Sequence, residues 1–338
     1  MHEALTYDDV LLIPQYSDIR SRQEINIGNG LDENIYLELP VISSPMDTVT
    51  EGPMALALNH KGGLGIVHRY NSINEQVNIV SSVLEADSTL RVGAAIGVTG
   101  DFHERACALY DAGVNVVCID VAHGHHILMK NALETLRKAL GNKVHFMAGN
   151  VATQEGFEAL ADWGADSVRC NVGGGSICST RIQTGHGIPG LQTIIECAKS
   201  DRSAKIIADG GIRNSGDIVK ALAAGADFVM LGSMFAGTTE APGALVVANN
   251  GRQYKLYRGM ASKEAQLDWR GDYSSNEGIS AQVPYKGKMR EVLEDLRNGI
   301  CSGFSYSGAR TIEELWGKAK WIRQTNAGLG ESKTHILL

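Results

Sequence analysis

The chain has 338 residues, 43% hydrophobic and 20% charged, with 39 glycines, 7 prolines and a formal net charge of −7. That length holds one large domain or two ordinary ones, and the composition excludes a disordered chain, a collagen-like repeat and a disulfide-stapled miniprotein. The acidic balance argues against nucleic acid or an anionic membrane as a partner, although a local basic pocket can still take phosphate. No apolar run reaches the ~18–20 residues of a membrane span, and MHEALTYDDV carries charges where a signal peptide is apolar. The six cysteines, at 107, 118, 170, 178, 197 and 301, form no CxxC pair, and four lie in or near apolar runs. The expectation is a cytoplasmic protein with reduced thiols.

Short β-branched runs alternate with helical stretches. Strands are predicted to begin near Val41, Leu64, Arg91, Val114, Val144, Asp166, Ala204 and Asp227. Every interval leaves room for a strand, a loop and a helix. Helices are predicted over Glu51–His60, Ser72–Leu84, His125–Leu140, Gln154–Trp163 and Ser215–Ala224. Near-continuous apolar strands between helices mean a parallel sheet with both faces covered. Eight such units fit an α/β fold of the (β/α)8 TIM-barrel type better than an open sheet, whose first strand would lead into a glycine-rich turn that VISSPMD lacks.

In such a barrel, active-site residues sit just beyond the strand ends, with phosphate held by the loops after strands seven and eight. Asp209-Gly210-Gly211 follows the seventh strand and Gly232-Ser233 the eighth. Glycines let backbone N–H groups approach a phosphate, although ordinary turns use the same residues. The longest interval, after strand six, holds a glycine-rich loop, Gly173-Gly174-Gly175-Ser176-Ile177-Cys178-Ser179-Thr180-Arg181. Cys178 on that loop, flanked by hydroxyls and Arg181, is a candidate nucleophile; a structural thiol is the competing reading. His123, His125 and His126 read as a polar loop at a strand end in preference to a metal site. From Met260 to Lys288 the chain is polar and poorly periodic, the mark of a lid or a disordered segment. Helices follow over Arg290–Asn298 and Thr311–Arg323, then a polar tail.

Five segments together resemble the IMP dehydrogenase/GMP reductase family: LTYDDVLLIPQYS near the start, SSPMDTVTE at 43–51, GSICSTR at 175–181, the stretch 208–237 and YRGM at 257–260. The similarity covers nearly the whole chain. It implies a single barrel domain over 1–338, with a mobile flap at about 261–287 and a helical C-terminal region at 288–338, in a homotetramer. Its substrate is a purine nucleoside monophosphate. Ser176, Gly211, Gly232, Ser233 and Tyr257 would hold the phosphate, Asp209 the ribose, and Gly259, Met260, Glu277 and Gly278 the base. Cys178 would attack C2 of the purine to give a covalent thioimidate. Asp120, Asn150 and Arg169 would lie along the nicotinamide.

Two reactions share that intermediate in the family. A dehydrogenase oxidises IMP with NAD and hydrolyses the intermediate to XMP; a reductase expels ammonia from GMP and adds hydride from NADPH to give IMP. The dehydrogenase flap resembles a stretch with adjacent Arg and Tyr that activates water, whereas here Arg270 and Tyr273 are separated and the flap is short. Thr180 and Glu277 match the reductase's proton-transfer pair. The resemblance therefore points to an NADPH-dependent GMP reductase, with an NAD-dependent IMP dehydrogenase as the alternative.

Other features lean toward the dehydrogenase. Gly330-Glu331-Ser332 resembles the tail that completes a potassium site in a neighbouring subunit, the other ligands being carbonyls of Gly173, Gly175 and Cys178. Leu64–Gly97 also reads more like a dehydrogenase, although only about twenty residues join its two strands, where dehydrogenases carry a regulatory CBS pair. Asn171 stands where both branches usually have glycine, and Pro189-Gly190-Leu191-Gln192 departs from the usual Pro-Gln. A barrel that binds nucleotide without redox chemistry is the reading from another class. Cys178, Thr180, Asp209 and Glu277 argue against it, because a pure binder has no use for the thiol.

Overall fold

The computed structural model describes residues 3–334, so residues 335–338 of the polar tail lie outside the described residues. Eight strands form a closed barrel: β1 (Val41–Ser43), β2 (Leu64–Val67), β3 (Val92–Ile96), β4 (Val116–Asp120), β5 (His145–Val151), β6 (Ser167–Cys170), β7 (Lys205–Asp209) and β8 (Phe228–Leu231). All eight begin within two residues of the predicted starts. Neighbours in sequence pair in parallel, and β8 closes onto β1 with Val229 opposite Val41 and Leu231 opposite Ser43. A single helix (Ile73–Ala86) joins β2 to β3.

The strands read as continuous apolar runs because both faces are buried. Alternate residues point inward: Ile42, Leu64, Ile66, Val116, Met147, Ile207, Phe228 and Met230 fill the barrel, while Val41, Val117, Phe146, Val168 and Val229 pack under the helices. Leu31, Ile35 and Leu37, from a short hairpin (Asn29–Gly30 with Tyr36–Leu37), join the interior cluster. Asp32 accepts from the backbone N–H of Asn34 (2.7 Å) and Ile35 (2.9 Å), and its other oxygen lies 2.9 Å from His145 Nδ1. His145 Nε2 in turn lies 2.8 Å from Ser167 Oγ. Since His145 and Ser167 begin their strands, this hairpin seals the end of the barrel opposite the strand C-termini.

The outer ring is α1 (Gly52–Asn59), α2 (Ile73–Ala86), α3 (Phe102–Asp111), α4 (Ile127–Leu140), α5 (Gln154–Asp162), α6 (Gly190–Cys197), α7 (Ser215–Ala223) and α8 (Met289–Ser307). Side-chain caps mark several starts, with Ser72 accepting from Glu75 N, Thr153 from Gly156 N and Asn214 from Asp217 N. Helix α8 packs against α7 and α1, so it is the eighth barrel helix and not an appendage.

Two expectations need correction. The helix expected over Thr311–Arg323 stops at Lys318, and Trp321–Arg323 pairs antiparallel with Val10–Leu12, a distant partner that overrides local helical preference. The stretch from Met260 to Lys288 is not structureless. It contains a helix, Lys263–Arg270, capped by Ser262 Oγ on Ala265 N (3.2 Å), and a strand, Ser280–Pro284. That strand joins Gln253–Arg258 and Leu245–Val247 in an antiparallel sheet of three strands. The whole excursion leaves the barrel after β8 and returns at α8.

Candidate active site

A cavity of about 410 Å³ opens at the C-terminal ends of the strands. Its wall includes Ser176, Cys178, Thr180, Asp209, Gly211, Gly232, Ser233, Tyr257, Gly259, Met260 and Glu277, with Asp120, Asn150 and Arg169 on β4 to β6. These residues come from across the sequence, and the barrel's closure brings their strand ends together.

The thiol sits on a hydrogen-bonded chain. Cys178 Sγ donates to Thr180 Oγ1 at 3.1 Å, and Thr180 Oγ1 donates to Glu277 Oε2 at 2.8 Å. Ser275 Oγ holds the other carboxylate oxygen at 2.7 Å. Backbone bonds clip the flap to the loop, from Ser179 N to Glu277 O (3.0 Å) and from Ile279 N to Ile177 O (3.0 Å). Gly278 therefore pairs with Cys178 in an isolated antiparallel bridge, directly behind the thiol's backbone. A Cβ there would come to 3.0 Å from Ser262 N. Arg181 is also placed differently from its expected role beside the thiol. Its guanidinium donates to the carbonyls of Val172 (3.2 Å) and Ile188 (2.5 Å), which tie down the two ends of the loop.

Deeper in the cavity, Arg169 carries the charge balance. It donates to Asp209 Oδ2 from Nε (3.0 Å) and Nη2 (2.8 Å), and to Asp120 Oδ1 from Nη1 (2.5 Å). Burial opposes its charge, but Asp209 and Asp120 hold the guanidinium protonated well above its ordinary range. Asn150 Nδ2 also donates to Asp209 Oδ2 (2.8 Å), so the three bonds to Asp209 fall on one oxygen and fix the carboxylate while leaving its Oδ1 out of them. Beneath Arg169, burial pushes the Cys118 thiol up to about 12.

At the end of the cavity where phosphate is expected, Gly210 and Gly211 both have positive φ, +82° and +77°, and pack directly on the Gly174–Gly175 backbone. A Cβ on Gly232 would lie 3.0 Å from Tyr257 Oη. Burial pushes the Tyr257 hydroxyl up to about 12, so it stays a neutral donor there.

The wall also includes residues to which sequence reasoning gave no role. Arg69 and Tyr70 follow β2, where the barrel rule marks every strand end as a candidate. Tyr70 donates to Met260 O (2.7 Å) and stacks on Trp269 of the flap helix, ring centroids 5.7 Å apart. Arg69 Nε is buried without a hydrogen-bond partner, 3.8 Å from Asp120 Oδ2, which leaves a donor beside the expected nicotinamide position. Gln266 and Arg270 reach the cavity from the flap helix, whereas Tyr273 is exposed beneath Lys263.

The expected cation ligands are split. Gly173 and Gly175 line the cavity, whereas Glu331 ends the helix Asn326–Glu331 and Ser332 Oγ donates to Gly328 O (2.9 Å) in the same chain. No group of three or more His, Cys, Asp or Glu side chains among the described residues could hold a metal ion. His126 caps α4, its Nδ1 accepting from Leu128 N (3.1 Å), and His125 packs on Trp163.

Comparison with known proteins agrees with this architecture. A model of the IMP dehydrogenase / GMP reductase domain matches residues 4–335. The inosine-5'-monophosphate dehydrogenase of Nitrosopumilus maritimus is 34% identical, with 99% of each chain covered. The GMP reductase of Leishmania major is 33% identical, covering 98% of this chain and 97% of its own. A crystal structure of a cysteine-to-alanine variant of GMP reductase from Trypanosoma brucei, in complex with guanosine 5'-monophosphate, superposes with a TM-score of 0.93 at 31% identity, covering 100% of this chain and 99% of that one. The chain belongs to the IMP dehydrogenase/GMP reductase family of (β/α)8 barrels. It is an oxidoreductase of a family that uses nicotinamide cofactors.

Proposed function

We propose that this chain is a GMP reductase, converting GMP to IMP with NADPH through a covalent bond between Cys178 and C2 of the purine. The observation that carries the reading is the chain Cys178–Thr180–Glu277, which links the thiol to a carboxylate through a single hydroxyl. The Cys178 thiol passes its proton through Thr180 to Glu277 and the thiolate adds to C2; the 2-amino group takes that proton back through Thr180, and ammonia leaves, giving the thioimidate. NADPH supplies the hydride that adds to C2, and the thiolate departs to yield IMP. In this reading Ser176, Gly211, Gly232, Ser233 and Tyr257 hold the phosphate, and Asp209 accepts from the ribose hydroxyls. Gly259 and Met260 flank the base. Asp120, Asn150, Arg169 and the spare donor of Arg69 face the nicotinamide.

One observation favours IMP dehydrogenase as a second reading. Arg270 lines the cavity, and a guanidine beside the thioimidate is a candidate base for activating water. Potassium bound by carbonyls of Gly173, Gly175 and Cys178, with Glu331 and Ser332 from a neighbouring copy in a homotetramer, belongs to either reading. Nicotinamide absorbance is the test, followed with GMP plus NADPH and with IMP plus NAD, each with potassium or lithium. Absorbance lost only in the first reaction is the expected result. Absorbance gained only in the second would establish the dehydrogenase, and equal rates in potassium and lithium would remove the cation site.

A further inference from the structure

We propose that Asn171 is a positioning residue that locks the thiol loop to the phosphate loop and so sets the affinity for the nucleotide's 5'-phosphate. The inference rests on the nucleotide reading of the cavity. Asn171 is the first residue beyond β6 and is 4% exposed. Its Nδ2 donates to Gly210 O (3.3 Å) in the loop after β7, and its Oδ1 accepts from Arg181 Nη2 (3.4 Å) at the end of the thiol loop. Asn171 therefore bridges two segments that share no strand pairing at this point. Arg181 extends the bridge to the carbonyls of Val172 and Ile188.

The surroundings are built around this amide. A Cβ on Gly174 would lie 2.1 Å from Asn171 Nδ2, and one on Gly190 would lie 3.1 Å from it. A Cβ on Gly211 would meet Gly174 O at 3.1 Å. The absence of side chains at Gly174 and Gly211 lets the two backbones touch, and Asn171 fills the space left behind them. Gly211 and Ser176, the residues that would face a phosphate, hang from these two segments. Neither contact of Asn171 involves the thiol, so its influence falls on the register of the phosphate donors and not on the chemistry at C2.

The test uses Asn171→Gly, Gly174→Ala and the double variant, titrated with GMP, IMP, ribose 5-phosphate and guanosine, beside thermal melting and the alkylation rate of Cys178 by iodoacetamide. Asn171→Gly is expected to weaken GMP, IMP and ribose 5-phosphate about tenfold while leaving guanosine within about twofold. Gly174→Ala should weaken the same three ligands at least as much, because the new methyl displaces the amide. Asn171→Gly should then rescue part of that loss, as it vacates the space the methyl needs. If Asn171→Gly melts too early to titrate, Asn171→Ser keeps a Cβ and a hydroxyl in place and repeats the measurement. Unchanged affinity for ribose 5-phosphate, an equal loss for guanosine, or additive losses in the double variant would each overturn the proposal. A wild type that bound none of the nucleotides would overturn the functional reading as well. Because GMP and IMP are read alike, the direction of the reaction does not affect the outcome.

Discussion

Thr180→Val is the sharpest probe of the proton path. Valine keeps the shape of a side chain that is 8% exposed and removes only the hydroxyl between Cys178 and Glu277. Glu277 remains anchored, because Ser275 Oγ still donates to its second oxygen at 2.7 Å and its carbonyl still accepts from Ser179 N. The loop should therefore stay in place while the relay is cut. A positioned acid–base group contributes about 10²–10⁴-fold, so turnover of GMP should fall about 10²- to 10³-fold, roughly 3–4 kcal/mol of barrier. GMP affinity should change less than about threefold, since the residues proposed to hold phosphate and ribose are untouched. Three measurements decide it: nicotinamide absorbance for turnover, a GMP titration for binding, and iodoacetamide for thiol reactivity. A variant turning over within threefold of wild type would refute the relay. A loss of alkylation as large as the loss of turnover would place the hydroxyl's effect on the thiol and not on the departing amine.

Other substitutions test separate parts of the structure. Cys178→Ala should abolish turnover while GMP binding persists, and residual turnover would exclude the covalent route. The Cys118 thiol is neutral in both the folded and unfolded chain below about pH 9. Above that only the unfolded chain ionises, until about pH 12. Its contribution to stability should thus fall by about 1.4 kcal/mol per pH unit in that window, so urea midpoints of wild type and Cys118→Ala should converge from pH 8 to 10.5, and parallel curves would refute this. Trp269→Ala removes the stack on Tyr70 and should lower kcat several-fold through a loosened flap, with little change in melting temperature; an unchanged kcat would show that the stack does not hold the flap.

The barrel was legible because its strands are buried on both faces, so runs such as VNVVCIDVA stand out from the helices around them. Part of the cavity was legible for a related reason: in this architecture the strand ends face the working side, which located Asp209, Gly211, Gly232 and Ser233 from strand boundaries, whereas Asp120 and Asn150 were found only through the family resemblance. The flap helix was not legible, because Lys263–Arg270 buries only Ala265 and Gln266 and so carries no apolar stripe. Trp321–Arg323 was missed because its strand character belongs to a partner some three hundred residues away. Arg181 illustrates a finer limit. Proximity in sequence placed it beside the thiol, while the glycines at 173 and 187 open a path for its side chain to run the other way. Reaction direction is the least legible feature, since the two proposed reactions share Cys178 and differ only in what would meet the bound purine next.

The excursion between β8 and α8 interrupts the last βα unit of the barrel. Both of its ends are therefore moored to rigid elements that neighbour each other in the closed ring, and the segment behaves as a tethered arch in place of a dangling arm. Insertions or deletions within the arch leave strand order, helix order and closure unaffected, because the ring supplies the span. A lineage can thus rewrite the arch side of the cavity, including Met260 and Glu277, while the wall built on the strand ends stays constant. A single protease nick in the arch would likewise leave two fragments interlocked around one barrel, with binding and turnover separable in the same molecule.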